Sequence, residues 1–302
     1  MSRVVAVFLI IIALLVFTGY SQQNMSNWTA LGEDLYASGR YSDAAKAYDL
    51  VIKLDPKNAA AWKSKGDALF ALGMYNRSME AYDKVLELNP NHSIDWDEKA
   101  IGLYLVGLNN ESVELLNRAI SQDPKDEMSW LIKGAILLDQ EDMNGSLNAT
   151  NRVLELDPMN PVAWNNKGMI LLLQGMPNES ITFFNRSLDL DPNYEKAWNN
   201  KGWALFLLGK LKESIRFFDK AIELKPDDEM AWLNKAVVLQ SLGRHNESIV
   251  SFDKAIALNP SDSDAWLGKA TALKAIGRNA EAIAHYTRGI ELSIGSFSTG
   301  SS

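Results

Sequence analysis

The stretch Ala197-Trp198-Asn199-Asn200-Lys201-Gly202-Trp203-Ala204-Leu205-Phe206, running on to Pro226, decides the fold, because its parts return along the chain at a constant interval. Its leading tryptophan recurs at Trp28, Trp62, Trp96, Trp130, Trp164, Trp198, Trp232 and Trp266, each 34 residues from the last. Its closing proline recurs at Pro56, Pro90, Pro124, Pro158, Pro192, Pro226 and Pro260 with the same interval. A fixed period in this range marks a repeat architecture, in which each copy buries its apolar face only by stacking on its neighbours. Trp203 alone among the tryptophans lies outside the register.

Counting from the residue before each Trp, the units are 27–60, 61–94, 95–128, 129–162, 163–196, 197–230, 231–264 and 265–294. Each holds two helical patterns. The first runs from about the Trp to a glycine (Gly39, Gly73, Gly107, Gly175, Gly209, Gly243 or Gly277), which accepts a left-handed C-terminal conformation at low cost. The second runs from about Ser42, or the Asn equivalent to it, to the residues before the proline, which cannot continue a helix. Seven residues after each Trp stands leucine, two turns along the same helix face. Small residues recur four and sixteen residues after the Trp (Gly202 and Ser214 in the sixth unit), which lets paired helices approach closely. In the fourth unit Glu141 replaces the turn glycine, predicting a looser turn there, and its acidic neighbours read as a solvated turn. In the eighth, Ile294 replaces the proline and a Gly/Ser tail, 295–302, reads as disordered.

This order of Trp, Gly/Ala, Leu, then Ala/Ser, Phe/Tyr and Pro resembles the tetratricopeptide repeat (TPR), over about 27–294 and in eight copies. The resemblance implies an all-α, TPR-type α-solenoid, a right-handed superhelix whose concave wall is lined by the first helices and binds extended peptides. It also implies that the residues one, two, five and eight after the Trp face that groove. In the fifth to seventh units these include Asn165, Asn166, Met169, Leu172, Asn199, Asn200, Trp203, Phe206, Asn234 and Val237. Asn166, Asn200 and Asn234 stand at one repeat position and resemble an asparagine ladder that holds a peptide backbone; the other reading is that this Asn belongs to the repeat consensus. Trp203 and Phe206 are either an exposed hot spot for a partner or a pair buried between neighbouring units. A second binding mode of the family, a clamp for a terminal carboxylate, is disfavoured, because Lys63 is followed by Asp67 and then Glu98, acids that repel a carboxylate. The lysines three after the Trp in the second to eighth units read as snorkelling along the helix pair.

Ahead of the repeats, Arg3 precedes an unbroken apolar run, Val4 to Phe17. With its flanks it is long enough, at about 1.5 Å per residue, to span a thin bilayer. Residues 1–21 therefore read as a signal-anchor or as a cleaved signal peptide, followed by a short linker, 22–26, with the repeats outside the cytoplasm. Asn-x-Ser/Thr at Asn24, Asn27, Asn76, Asn91, Asn110, Asn144, Asn148, Asn178, Asn185 and Asn246 fits an extracytoplasmic, N-glycosylated domain. Asn76, Asn110, Asn144, Asn178 and Asn246 share one repeat position, where the Asn also reads as the cap of the second helix.

Composition narrows the function. A net charge of −8 argues against nucleic acid as a partner. With no cysteine and three scattered histidines, no metal site is expected. Every stretch belongs to a repeat and no phosphate loop or nucleophile elbow occurs, so neither catalysis nor a cofactor is expected. The expected partner is a protein or peptide, with homo-oligomerisation open. Two readings follow: a membrane-anchored, extracytoplasmic scaffold binding a protein partner in its groove, or an assembly component of the cell envelope that packs through its convex face.

Overall fold

In the computed structural model, which describes residues 24–89 and 93–298, every repeat pattern resolves into two α-helices. They are α1 (24–37), α2 (Tyr41–Leu54), α3 (Ala59–Ala71), α4 (Tyr75–Leu88), α5 (Ser93–Leu105), α6 (Asn109–Gln122), α7 (Glu127–Asp139), α8 (Met143–Leu156), α9 (Pro161–Leu173), α10 (Pro177–Leu190), α11 (Glu195–Leu207), α12 (Leu211–Leu224), α13 (Glu229–Ser241), α14 (His245–Leu258), α15 (Ser263–Ala275) and α16 (Asn279–Ser298). The chain divides into two compact units, one ending at Ala149 and the other beginning at Thr150, within α8. In the first, successive helices from α2 to α7 pack side by side and α5 also touches α7. In the second, α9 to α16 follow in the same way, and the first helices α9, α11, α13 and α15 touch one another in turn. Both units are all-α TPR-type solenoid.

Four sequence expectations are corrected. The linker 22–26 gives way to helix at residue 24, because Met25 packs against Val51, Ile52 and Ala61 and so draws its segment into α1. The tail expected to be disordered from 295 is helical through Ser298: with Ile294 in the proline position, nothing stops α16. The turn at Glu141 is not looser. Glu141 takes the left-handed conformation (φ 62°) that the seven turn glycines take (φ 72–83°), and the same hydrogen bonds close it, Glu141 N to Leu138 O and Asp142 N to Leu137 O. The repeat-position asparagines are not caps. The N-caps of α4, α6, α10 and α14 are Met74, Leu108, Met176 and Arg244, none with a side-chain bond, and the Asn stands one residue inside each helix. Side-chain caps sit instead on first helices, at Asn58, Asp126, Asn160, Asp228 and Asp262, and on α8 at Asp142, whose Oδ1 accepts from Gly145 N. The run Val4–Phe17, the sequon at Asn91 and residues 299–302 lie outside the described residues. Among the described residues no helix is long and apolar enough to cross a membrane.

The repeat junction explains the two strictest positions. In six junctions the indole Nε1 of the Trp donates to the carbonyl of the preceding unit's proline: Trp62 to Pro56 (3.0 Å), Trp130 to Pro124 (3.2 Å), Trp164 to Pro158 (2.9 Å), Trp198 to Pro192 (2.8 Å), Trp232 to Pro226 (3.0 Å) and Trp266 to Pro260 (3.0 Å). The small residues do what close packing demands. A Cβ on Gly66 would lie 2.5 Å from the ring of Tyr82, which leans over it from the second helix of the same repeat. The hydroxyl of Ser78 donates to the carbonyl of that glycine at 2.8 Å, and Ser112, Ser146 and Ser248 do the same to Ala100, Gly134 and Ala236.

Because a side chain in the left-handed region costs on the order of 1 kcal/mol, Glu141→Gly stabilises the chain by about 1 kcal/mol. Thermal unfolding of the two proteins reads this directly, and an unchanged or lower Tm rejects it.

Candidate functional site

On several first helices the positions six and seven after the Trp are taken up by stacking: Ala68 and Leu69, Val238 and Leu239, Ala272 and Leu273 are all buried. The positions one, two, five and eight after the Trp fall on the remaining face of these helices.

In the second unit they are more enclosed than the sequence suggests. Leu172 (6% exposed) and Asn165 (4%) are buried, which corrects their assignment to an open groove. Asn166, Met169, Asn199, Asn200, Trp203, Phe206, Asn234 and Val237 are half-buried. Trp203 and Phe206 lie with ring centroids 4.9 Å apart. Trp203 also packs on two apolar clusters, one holding Ile215, Phe218, Val238 and Leu239 and the other Leu172, Phe184 and Ala204. It is therefore partly a packing residue. The asparagines do form a ladder, but between two positions: Asn200 Nδ2 donates to Asn165 Oδ1 (2.9 Å) and Asn234 Nδ2 to Asn199 Oδ1 (3.0 Å). Each bond joins one repeat to the next.

The first unit holds a constellation that the sequence reading passed over as a failed carboxylate clamp. Lys63 Nζ pairs with Glu98 at 2.6 Å and with Asp67 at 3.2 Å. The hydroxyl of the buried Tyr82 donates to Asp67 Oδ1 at 2.9 Å. A cavity of about 310 Å³ opens here, lined by Tyr36, Asp67, Phe70, Tyr82, Glu98 and Ile101. A second, of about 190 Å³, is lined by Glu33, Tyr36, Tyr48, Ser64 and Asp67. Burial, then the charges of Asp67 and Glu98, push the phenol of Tyr82 well up, and burial with Asp67 raises that of Tyr36. Burial works against the charge on Lys63, but its two carboxylate partners outweigh it and raise its pKa. The rule that selected Trp203 and Phe206, five and eight after the Trp, also selects Glu33 and Tyr36, Asp67 and Phe70, and Ile101; only the preference for apolar pairs hid them.

The lysines three after the Trp do more than snorkel. Lys65, Lys235 and Lys269 reach back to Asp49, Asp219 and Asp253 on the preceding repeat's second helix, at 2.7, 2.6 and 2.6 Å, and Lys99 reaches Asp83. Where that position is Asn117 or Asn185, the lysine has no such carboxylate, and burial holds Lys133 and Lys201 below the usual lysine range. Lys201 lies 4.3 Å from the centre of the Phe217 ring instead.

At the sequons, Asn76, Asn110, Asn144, Asn148, Asn178, Asn185 and Asn246 are exposed, as is Asn27, and Asn24 is half-buried. The hydroxyl residue two further on is buried in all seven of the inner ones: Ser78, Ser112, Ser146, Thr150, Ser180, Ser187 and Ser248. The repeat itself thus accounts for these hydroxyls, which occupy the close-approach position of the helix pair or its neighbours. Among the described residues, no group of three His, Asp or Glu side chains is placed to hold a metal ion.

Family models described as "Tetratricopeptide repeat" match residues 29–93, 161–194, 195–228, 230–262 and 251–284. A comparison with curated proteins gives no match. Among solved structures, the APC/C hetero-tetramer Cut9–Hcn1 aligns over 88% of this chain and 52% of its own at 16% identity, with a TM-score of 0.69. The chain thus spans about half the length of that protein. A tetratricopeptide repeat protein from Parabacteroides merdae ATCC 43184 aligns over 86% of this chain and 99% of its own at 12% identity, with a TM-score of 0.69. MamA from Desulfovibrio magneticus RS-1 aligns over 57% and 97% at 18% identity, with a TM-score of 0.51. At these identities the likeness is one of fold.

Asp97, one residue after Trp96, is 4% exposed and accepts from Ser129 Oγ at 2.5 Å. Burial, with Asp126 and Glu98 nearby, pushes its carboxyl up to about 7 despite that bond. The unfolded chain loses this proton near the ordinary value of 3.8, whereas the folded chain keeps it to about 7. Folding therefore takes up a proton between those limits, and stability falls as pH rises through that window, by on the order of 3 kcal/mol. Asp97→Asn should remove this slope and melt higher than the parent at pH 8. Parallel slopes for the two proteins between pH 4 and 7 would show Asp97 ionised in the fold.

Proposed function

The chain belongs to the tetratricopeptide repeat family, and from that premise we propose that it is a scaffold that holds an extended segment of a partner protein along its first helices, anchored to a membrane with the repeats outside the cytoplasm. A TPR array is a non-catalytic scaffold for protein–protein interaction; the groove, the anchor and the location are the further steps. The groove is supported chiefly by the asparagine ladder. Asn200 and Asn234 each give an amide N–H to the preceding repeat, which fixes the amide planes. An amide has further donors and an acceptor to offer, here to the main chain of a bound segment. The anchor is supported by the run Val4–Phe17 behind Arg3, and the location by that charge and by the exposed sequon asparagines.

A benzophenone amino acid placed at Asn166 or Asn200 should crosslink the partner in cells, whereas one at Lys220 on the second helix α12 should not. Adducts from Lys220 alone would move the contact to the other face. Protease added to intact cells should digest the repeats; repeats that survive until the cells are opened would put them on the cytoplasmic side.

A further inference from the structure

The cavity between α1, α3, α4 and α5 has two kinds of wall: the rings of Tyr36, Phe70 and Tyr82 with the side chain of Ile101, and the carboxylates of Asp67 and Glu98. About 30% of each acid's side chain is exposed, although Glu98 Oε2 is itself buried and Glu98 Oε1 faces Lys63. Lys63, which pairs with both, is not among the residues that line the cavity. One lysine against Asp67 and Glu98 leaves the site negative, and Glu33 lines the adjoining cavity. We propose that this cavity receives the guanidinium of an arginine carried by the partner's extended segment, laid against the rings of Tyr36 and Phe70 and paired with Asp67 and Glu98. This rests on the reading of the first-helix face as the partner's groove and gives that partner a chemistry.

Two features select arginine. A guanidinium is planar, stacks on aromatic faces and sends N–H groups in several directions, so it can meet an aromatic wall and two carboxylates from different helices at once. An apolar side chain would strip water from Asp67 and Glu98 and offer them nothing. The second cavity adjoins the first through Tyr36 and Asp67, and it brings Glu33, Tyr48 and Ser64. Alternate residues of an extended chain point the same way, so arginines two apart fill the two cavities together. The preferred ligand is an Arg-x-Arg segment.

The probe is a fluorescein-labelled peptide, Gly-Ala-Arg-Ala-Arg-Ala-Gly, titrated into the full chain at low salt and followed by anisotropy. Replacing both arginines by citrulline, which keeps the shape and removes the charge, should weaken binding at least tenfold. Asp67→Asn with Glu98→Gln should do the same; the Asn keeps an acceptor for Tyr82. Lys63→Met should tighten binding several-fold by releasing both carboxylates to the ligand. Glu213→Gln with Glu223→Gln, an equal charge change in the second unit, should leave it unaltered. Equal affinity for the arginine and citrulline peptides, loss of binding in Lys63→Met, or an equal loss in the control pair would each overturn the proposal. If the double variant melts early, the comparison of peptides on the parent protein decides alone. Crosslinks from Asn166 or Asn200 with no arginine preference would leave the scaffold reading standing and remove only the arginine.

Discussion

The hydrogen bond that joins a unit's indole to the preceding unit's proline carbonyl, present at six junctions, is the constraint on which the repeat depends. A proline that stops a helix leaves the chain free to leave in many directions. In the Asp157–Asn160 turn, Asp157 Oδ1 accepts from Met159 N, Asn160 Oδ1 caps the next helix at Ala163 N, and Trp164 Nε1 closes on Pro158 O. Three short bonds thus set the entry angle of α9. The indole face remains for packing, and Phe183 stacks on it with centroids 5.8 Å apart. One residue satisfies a carbonyl and presents a flat surface, which no aliphatic side chain can do, and the register of Trp and Pro survives where most other positions drift.

Most of the fold was legible because that constraint is local. Trp, Gly, Leu and Pro each have a mechanism readable in sequence, and pairing and order of helices follow from the period. What escaped was geometry that sequence cannot rank. At Asn110-Glu111-Ser112 the sequence offers the asparagine as the helix cap and the serine as a close-approach residue, and only the second reading holds. In the structure the serine is the constrained residue, buried against the carbonyl of Ala100, and the asparagine rides outside. Glu141 misled for a related reason: a turn held by bonds on both sides keeps its shape even when its residue is unsuited to it, so the strain falls on Glu141 rather than on the fold.

The candidate site was legible as a set of positions but not as a choice among them. The same four offsets from the Trp describe the inner face of every first helix, and large apolar residues drew the reading to the second unit. Apolar groups are also what stacking consumes. Leu172 is buried and Trp203 joins two clusters, so much of their surface is spent on the solenoid itself.

Acids at these offsets have a different fate, and the chain shows both outcomes. Asp97, enclosed beside Ser129, holds its proton to about 7, so near neutral pH much of its population carries no charge to offer a partner. Asp67 and Glu98 are placed differently: Lys63 pairs with both, Tyr82 donates to Asp67, and the cavity beside them is open. Charge kept on a half-buried carboxylate next to aromatic walls carries a desolvation cost that stacking does not require. A cationic ligand offsets that cost, and this difference, rather than the number of exposed apolar rings, favours recognition in the first unit.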